Sequence, residues 1–235
     1  GQHFSAQDTV VYGQAQVPLG SVWKLFVYAY LIENQIPENE YFCNSQGVNQ
    51  GEEYCCLPGA SINRDTALAQ SCGVYFAPKR WSITQEKWTQ WLANHSQATP
   101  SWLQNISNMQ AGTLVPVASL LNAIENFPEL TQRKARNALL KVSLQDDLQN
   151  TLGILGTAIR FKTWSWFDQA ADASKGPHPS AIAANQINKA PRIGGALGWL
   201  PNGRAFWWGA TGTSKTSLLQ HSRWIAQTLE LNQNA

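Results

Sequence analysis

The sequence predicts an α/β fold in which strand-forming ends, with an antiparallel sheet and a closing helix at the C-terminal side, bracket a helical middle. Three observations carry that expectation. The run from Ser21 to Ile32 is almost wholly apolar with no turn former inside it, which reads as a helix buried on all sides. Between Asn63 and Leu148 the segments are patterned as helices. After Ala158 the period changes, and β-branched and aromatic residues with a Pro201-Asn202-Gly203 turn announce strands.

In chain order, Thr9-Val10-Val11-Tyr12 reads as a strand, and Pro18 and Gly20 break the chain before the buried helix. Residues 33–60 are polar and rich in Gly, Asn and Pro, a loop held by its cysteines. Asn63 to Phe76 reads as a helix ending at a serine turn. Ser82-Ile83-Thr84-Gln85 has the capping-box pattern and opens a helix through Trp88, Trp91 and Leu92. Leu114 to Phe127 and Thr131 to Leu148 give two more helices joined at Pro128. Ala158 to Phe167 reads as a strand, and Asp168 to Pro191 as a loop long enough to cover or line a site. Ile193 to Leu200 and Arg204 to Ala210 flank the turn as a hairpin, and Leu218 to Leu229 closes the chain as an amphipathic helix.

With 235 residues and 43% hydrophobic content the chain can bury a real core, as one large domain or two intertwined subdomains. A net charge of +2 from few, scattered Lys and Arg gives no footprint for nucleic acid. No apolar run reaches membrane-spanning length, and the chain opens at Gly1 without a signal peptide, which reads as a mature form. Cys43, Cys55, Cys56 and Cys72 fall close together in the loop-rich region, pointing to two disulfides and an oxidising compartment. Zinc is the competing reading, without a Cys-x-x-Cys or a nearby His to support it, and no metal or cofactor is expected. The adjacent Cys55 and Cys56 cannot bridge each other without straining the backbone, so one is expected to join Cys43 and the other Cys72.

Only Ser21 and Lys24 are out of place in the apolar run. Three residues apart on a helix, they share one face, and the amine lies within reach of the hydroxyl. Burial disfavours the ammonium form, and a neutral amine can take a serine proton. A position in the first turn also offers unpaired N–H groups to an oxyanion. A capping serine followed by a snorkelling lysine would present the same letters, so the weight rests on two further motifs that follow in order.

Pro18-Leu19-Gly20-Ser21-Val22-Trp23-Lys24 resembles the P-x-G-S-x-x-K of penicillin-binding transpeptidases. Ala67-Leu68-Ala69-Gln70-Ser71-Cys72-Gly73-Val74-Tyr75-Phe76 is similar to their A-L-x-x-S-x-N-x-x-F, with Gly73 where Asn belongs. Lys162-Thr163-Trp164 falls where K-T-G belongs, with Trp164 in place of glycine. The whole chain takes part in this resemblance to the penicillin-recognising serine enzymes, the transpeptidases, D,D-carboxypeptidases and serine β-lactamases. Ala210-Thr211-Gly212-Thr213-Ser214 is similar to K-T-G-T-S by letter, but it leaves no room for two following strands and reads as a strand end with Ser214 or Thr213 capping the last helix.

The resemblance implies a single transpeptidase/β-lactamase-like domain over 1–235, with an α/β part at about 1–35 and 151–235 and an all-helical part inserted at about 36–150. It implies Ser21 as nucleophile, Lys24 as its base, Ser71 as proton relay, and Lys162 with Thr163 holding a substrate carboxylate. The N–H groups of Ser21 and Ser165 would form the oxyanion hole. Gly73 removes a side chain that would orient the substrate amide, and Trp164 would fill the cleft or give it an aromatic wall. Phe127-Pro128-Glu129-Leu130-Thr131 stands where class A β-lactamases carry E-P-E-L-N, so their deacylating glutamate is not expected. Arg192-Ile193-Gly194-Gly195, Gly198-Trp199-Leu200 and Gly212-Thr213-Ser214 further resemble a family of secreted bacterial transpeptidase-like proteins associated with α2-macroglobulin genes. That likeness implies a periplasmic or secreted location and a possible α2-macroglobulin-type partner.

Three functions stay open: a serine acyltransferase or hydrolase acting on cell-wall peptide or a related amide, a degenerate module that binds peptidoglycan or a protein without turnover, and a saccharide-binding surface built on some of the eleven tryptophans. Trp88 and Trp91, at helical spacing, read as core rather than surface.

Overall fold

A computed structural model describes residues 13–47, 55–95, 99–143, 159–167 and 192–233. The expected strand Thr9–Tyr12 and the expected loop Asp168–Pro191 lie outside the described residues.

A short strand β1 (Gln16–Pro18) leads through a single 3₁₀ turn, Gly20–Val22, into helix α1 (Trp23–Glu33). Lys24 to Ile32 are all buried, as a helix without a polar stripe must be. Its rings set the core. Phe26 meets Trp102 and Phe127 edge-on at 5.2 and 5.5 Å between centroids, and Tyr30 stacks on Trp88 at 5.7 Å. Trp88 and Trp91 are buried, and each indole N–H is satisfied, by Leu103 O at 2.7 Å and by Glu33 Oε2 at 2.7 Å.

After α1 a two-stranded hairpin, β2 (Tyr41–Phe42) with β3 (Ser61–Ile62), is stapled by disulfides Cys43–Cys56 and Cys55–Cys72. The expected pattern of one bridge to Cys43 and one to Cys72 is present, and the vicinal pair is not bridged. The segment expected as one helix is two, α2 (Arg64–Ala69) and α3 (Gly73–Phe76), separated at Ser71, which adopts φ 64°. A 3₁₀ turn, Pro78–Trp81, ends on Ser82 in the left-handed region, so Ser82 does not open the next helix. Thr84 does: its side chain accepts the Lys87 N–H as N-cap of α4 (Gln85–Ala93).

Leu114–Pro116 is not helical. It forms β4, antiparallel to β1 with Val17 opposite Val115, and helix α5 (Val117–Glu125) begins only after Pro116. Helix α6 (Glu129–Ser143) follows. The middle is therefore helical with two short strand pairings rather than wholly helical.

The main sheet has three antiparallel strands in the order β5 (Arg160–Phe167), β6 (Arg192–Trp199), β7 (Ala205–Thr211). β7 ends at Thr211, Gly212 takes φ 110°, and Thr213 Oγ1 accepts the Thr216 N–H at 3.1 Å at the start of α7 (Ser214–Gln233). The Ala210–Ser214 segment is thus a strand end and helix cap. Mixed helices and antiparallel sheet, with β5 at the sheet edge against the turn before α1, bring the three sequence motifs to one place.

Candidate active site

Gly20 supplies the sharp turn that presents Ser21. Its φ is 50°, and a Cβ there would stand 3.0 Å from Ser165 O and 3.3 Å from Trp164 Cβ, so only glycine lets the turn press on β5. Ser21 is half-buried, and its hydroxyl donates to the Thr163 carbonyl at 2.9 Å. In an antiparallel edge strand a residue's N–H and C=O point to the same side, and the side repeats every second residue. Thr163 O bonded to Ser21 and Ser165 O packed on Gly20 therefore turn the Ser165 N–H toward the same turn.

One helical turn on, Lys24 is 8% exposed and donates from Nζ to Ser71 Oγ at 3.1 Å. Burial pushes its amine down to about 8. The Trp23 ring lies 5.4 Å from the amine. Ser71 ends α2 in a Schellman arrangement: its N–H reaches Leu68 O and the Cys72 N–H reaches Ala67 O, with Ser71 at the left-handed position usually held by glycine. Gly73, half-buried, opens α3 two residues later.

Lys162 is fully buried. Its Nζ donates at 2.9 Å to the Thr163 carbonyl, the same oxygen that Ser21 bonds. Burial, and then the nearby Lys24 charge, hold its amine well below the ordinary lysine value. Enclosed in this way, the Lys162 side chain has no solvent-facing surface in this conformation. Thr163 is half-buried and Ser165 exposed.

Trp164 is also buried, at 1% exposure, so it forms no wall of an open cleft. Its indole stacks on Trp207 at 5.4 Å and donates to Trp208 O at 3.2 Å. In register Trp164 faces Gly195, which faces Gly209, and a Cβ on Gly209 would come 2.8 Å from Trp164 Cζ2. The bulk expected in the cleft lies instead behind the edge strand, over a row of glycines.

The structure thus gathers Ser21, Lys24, Ser71, Lys162 and Thr163 through two short chains of hydrogen bonds, Ser21 and Lys162 on one carbonyl and Lys24 on Ser71. No hydrogen bond joins Ser21 to Lys24 among the described residues, although their spacing predicts one. The Thr163 main-chain oxygen and the Trp23 ring were not legible as site groups. The former carries no side-chain signal, and the latter is an aromatic in an apolar run like its neighbours.

Residues 47–173 match the model of a family described as predicted secreted protein (DUF2300). The chain is 39% identical over 212 residues to "Uncharacterized protein YfaQ" of Escherichia coli strain K12, across 90% of this chain and 34% of that one, and so spans about a third of that relative's length. Among solved structures it is similar to a class D β-lactamase from Bacillus subtilis, with TM-score 0.54 and 10% identity over 94% of this chain and 84% of that one. It is also similar to the chromosome-encoded β-lactamase of Vibrio parahaemolyticus, with TM-score 0.46 and 12% identity over 94% and 85% of the two chains. At such identities the first likeness speaks for the fold alone, which is β-lactamase-like. No helix among the described residues is long and apolar enough to cross a membrane.

Proposed function

We propose, for a chain that belongs to the DUF2300 family of predicted secreted proteins, that it is a serine acyltransferase or hydrolase related to D,D-peptidases and transpeptidases, acting on cell-wall peptide or a related amide. The observation that carries this reading is the buried Lys24 amine, lowered to about 8 and hydrogen-bonded to Ser71 one helical turn from Ser21. A lysine kept that close to neutrality can accept a proton near physiological pH.

In the proposed step the Ser21 hydroxyl turns from Thr163 O to Lys24, which takes its proton as Oγ attacks the substrate carbonyl carbon. The resulting oxyanion meets the N–H groups of Ser21 and Ser165. Ser71 passes the proton to the departing amine, the C–N bond breaks, and an ester on Ser21 remains for water or a second amine to resolve. Lys162 acts from below by supporting Thr163 rather than by touching substrate. Gly73 lacks the amide that would orient an acyl group, so turnover is slow.

A second reading has its own observation. The Ser21 proton is engaged by a backbone carbonyl and Lys162 is sealed, as suits a module that binds peptidoglycan or a periplasmic protein without turnover. A partner of the α2-macroglobulin type rests on the sequence likeness alone.

A fluorescent penicillin separates the two. Slow covalent labelling with a matching mass shift, abolished in Ser21→Ala, is the expected result. Absence of any adduct on the wild type, with binding to peptidoglycan retained, would favour the binding module.

A further inference from the structure

We infer that the Cys55–Cys72 disulfide is a positioning element of the active site, holding Ser71 in the left-handed conformation that keeps its hydroxyl on Lys24. The inference rests on the reading of Ser21, Lys24 and Ser71 as the reactive group.

Ser71 is a non-glycine residue at φ 64°, a conformation that costs on the order of 1 kcal/mol or more and persists where the surroundings over-determine it. Glycine would relieve that cost at a helix terminus of this type, and serine stands here instead, with its hydroxyl accepting from Lys24 at 3.1 Å. The next residue, Cys72, is fully buried and bonded to Cys55. Beyond it α3 begins with no side-chain cap, and on the helix side the Ser71–Cys72 peptide is pinned by the Cys72 N–H bond to Ala67 O at 2.8 Å. The bridge pins it from outside, through Cys55.

Its neighbour supplies the control. Cys43–Cys56 closes a loop of 13 residues in sequence separation and Cys55–Cys72 one of 17, so loss of either relieves similar loop-closure entropy. Cys43 and Cys56 both lie in the connection between β2 and β3, and neither adjoins Ser21, Lys24 or Ser71 in sequence. A merely structural role predicts equal effects of removing either bridge. A positioning role predicts unequal ones.

The experiment compares the wild-type chain with the pairs C55A/C72A and C43A/C56A, each checked for folding by circular dichroism. The readouts are the rate of penicillin labelling at Ser21 and the titration of the Lys24 amine followed by NMR of isotopically labelled lysine. Misplacing a reactive group by about an ångström costs roughly a hundredfold, and that loss is expected for C55A/C72A, with C43A/C56A within a few-fold of wild type. The Lys24 midpoint is expected near 8 in wild type and C43A/C56A, and to move toward the ordinary 10.5 in C55A/C72A as water reaches the amine. Equal losses in both pairs, or none in C55A/C72A, overturn the inference. If the wild type never labels, the acyl-transfer reading fails by itself and the titration decides: an unmoved Lys24 midpoint in C55A/C72A overturns the positioning role. Should the alanine pair not fold, C55S/C72S replaces it, and failure of that pair too, with C43A/C56A folded, overturns a purely local role.

Discussion

The Lys24 amine sits at 8% exposure with its midpoint lowered from 10.5 to about 8 by burial, and stability and chemistry pull in opposite directions there. The unfolded chain binds more protons between about 8 and 10.5, so stability rises with pH across that window. Below it the folded protein carries the full cost of a buried ammonium, about 3 kcal/mol at roughly 1.4 kcal/mol per pH unit. Lys24→Met removes that cost at the loss of one hydrogen bond to Ser71. It is expected to raise the unfolding free energy near neutral pH by about 1–3 kcal/mol in chemical denaturation while ending penicillin labelling. In wild type the labelling rate should climb with pH through about 8 and then level, as the amine becomes available as a base. A flat rate profile, or a destabilised Lys24→Met, would contradict a neutralising burial of this residue.

Two element-level contacts hold the layers behind the site. Glu33, the last residue of α1, accepts the Trp91 indole N–H at 2.7 Å and the Thr131 hydroxyl at 3.0 Å and faces His95 Nε2 at 3.0 Å, so α1, α4 and α6 meet on one carboxylate. The hydrogen bond to Glu33 raises the His95 midpoint above 6.5, with the Glu33 charge and the Trp91 carbonyl acting in the same sense against burial. A raised folded value means the stabilisation is complete below 6.5 and fades as pH rises through the folded midpoint. His95→Gln should flatten that decline, read as thermal midpoints against pH above 6.5. On the sheet side, Trp164 is wedged between β5 and the Trp207 ring. Trp164→Gly is therefore expected to cost about 3–5 kcal/mol of stability, measured by denaturant unfolding, rather than to open a cleft. Gly73→Asn alone, at a half-buried position, is the change expected to raise labelling without that loss.

Among the described residues a helical layer built on α1 and a three-stranded sheet enclose one core; Cys55–Cys72 ties the β2–β3 connection to it, and Cys43–Cys56 closes that connection on itself. With loops of 13 and 17 residues, each bridge is expected to contribute about 3 kcal/mol by restricting the unfolded chain. Denaturant midpoints measured with and without a reductant strong enough to open both should differ accordingly. A shift near zero would mean that the reduced chain keeps the same restrictions.

What the sequence determined by itself was local or compositional. An unbroken apolar run makes a buried helix whatever it packs on, a three-residue spacing puts Ser21 and Lys24 on one face, and adjacent cysteines cannot bridge each other. Strand alternation likewise put Lys162 and Trp164 on a common face. Tertiary structure decided which face was covered, because burial depends on partners far along the chain, here the turn at Gly20 and the ring of Trp207. It also decided that Leu114–Pro116 pairs with β1 as a strand, since a cross-strand partner nearly a hundred residues away outweighs local helical pattern. Ser82 lost the capping role to Thr84 because the preceding turn claimed it as a left-handed terminus. The meeting of Lys24 with Ser71, and of Ser21 and Lys162 on one carbonyl, needed three distant segments closed together, and no local pattern carries that information.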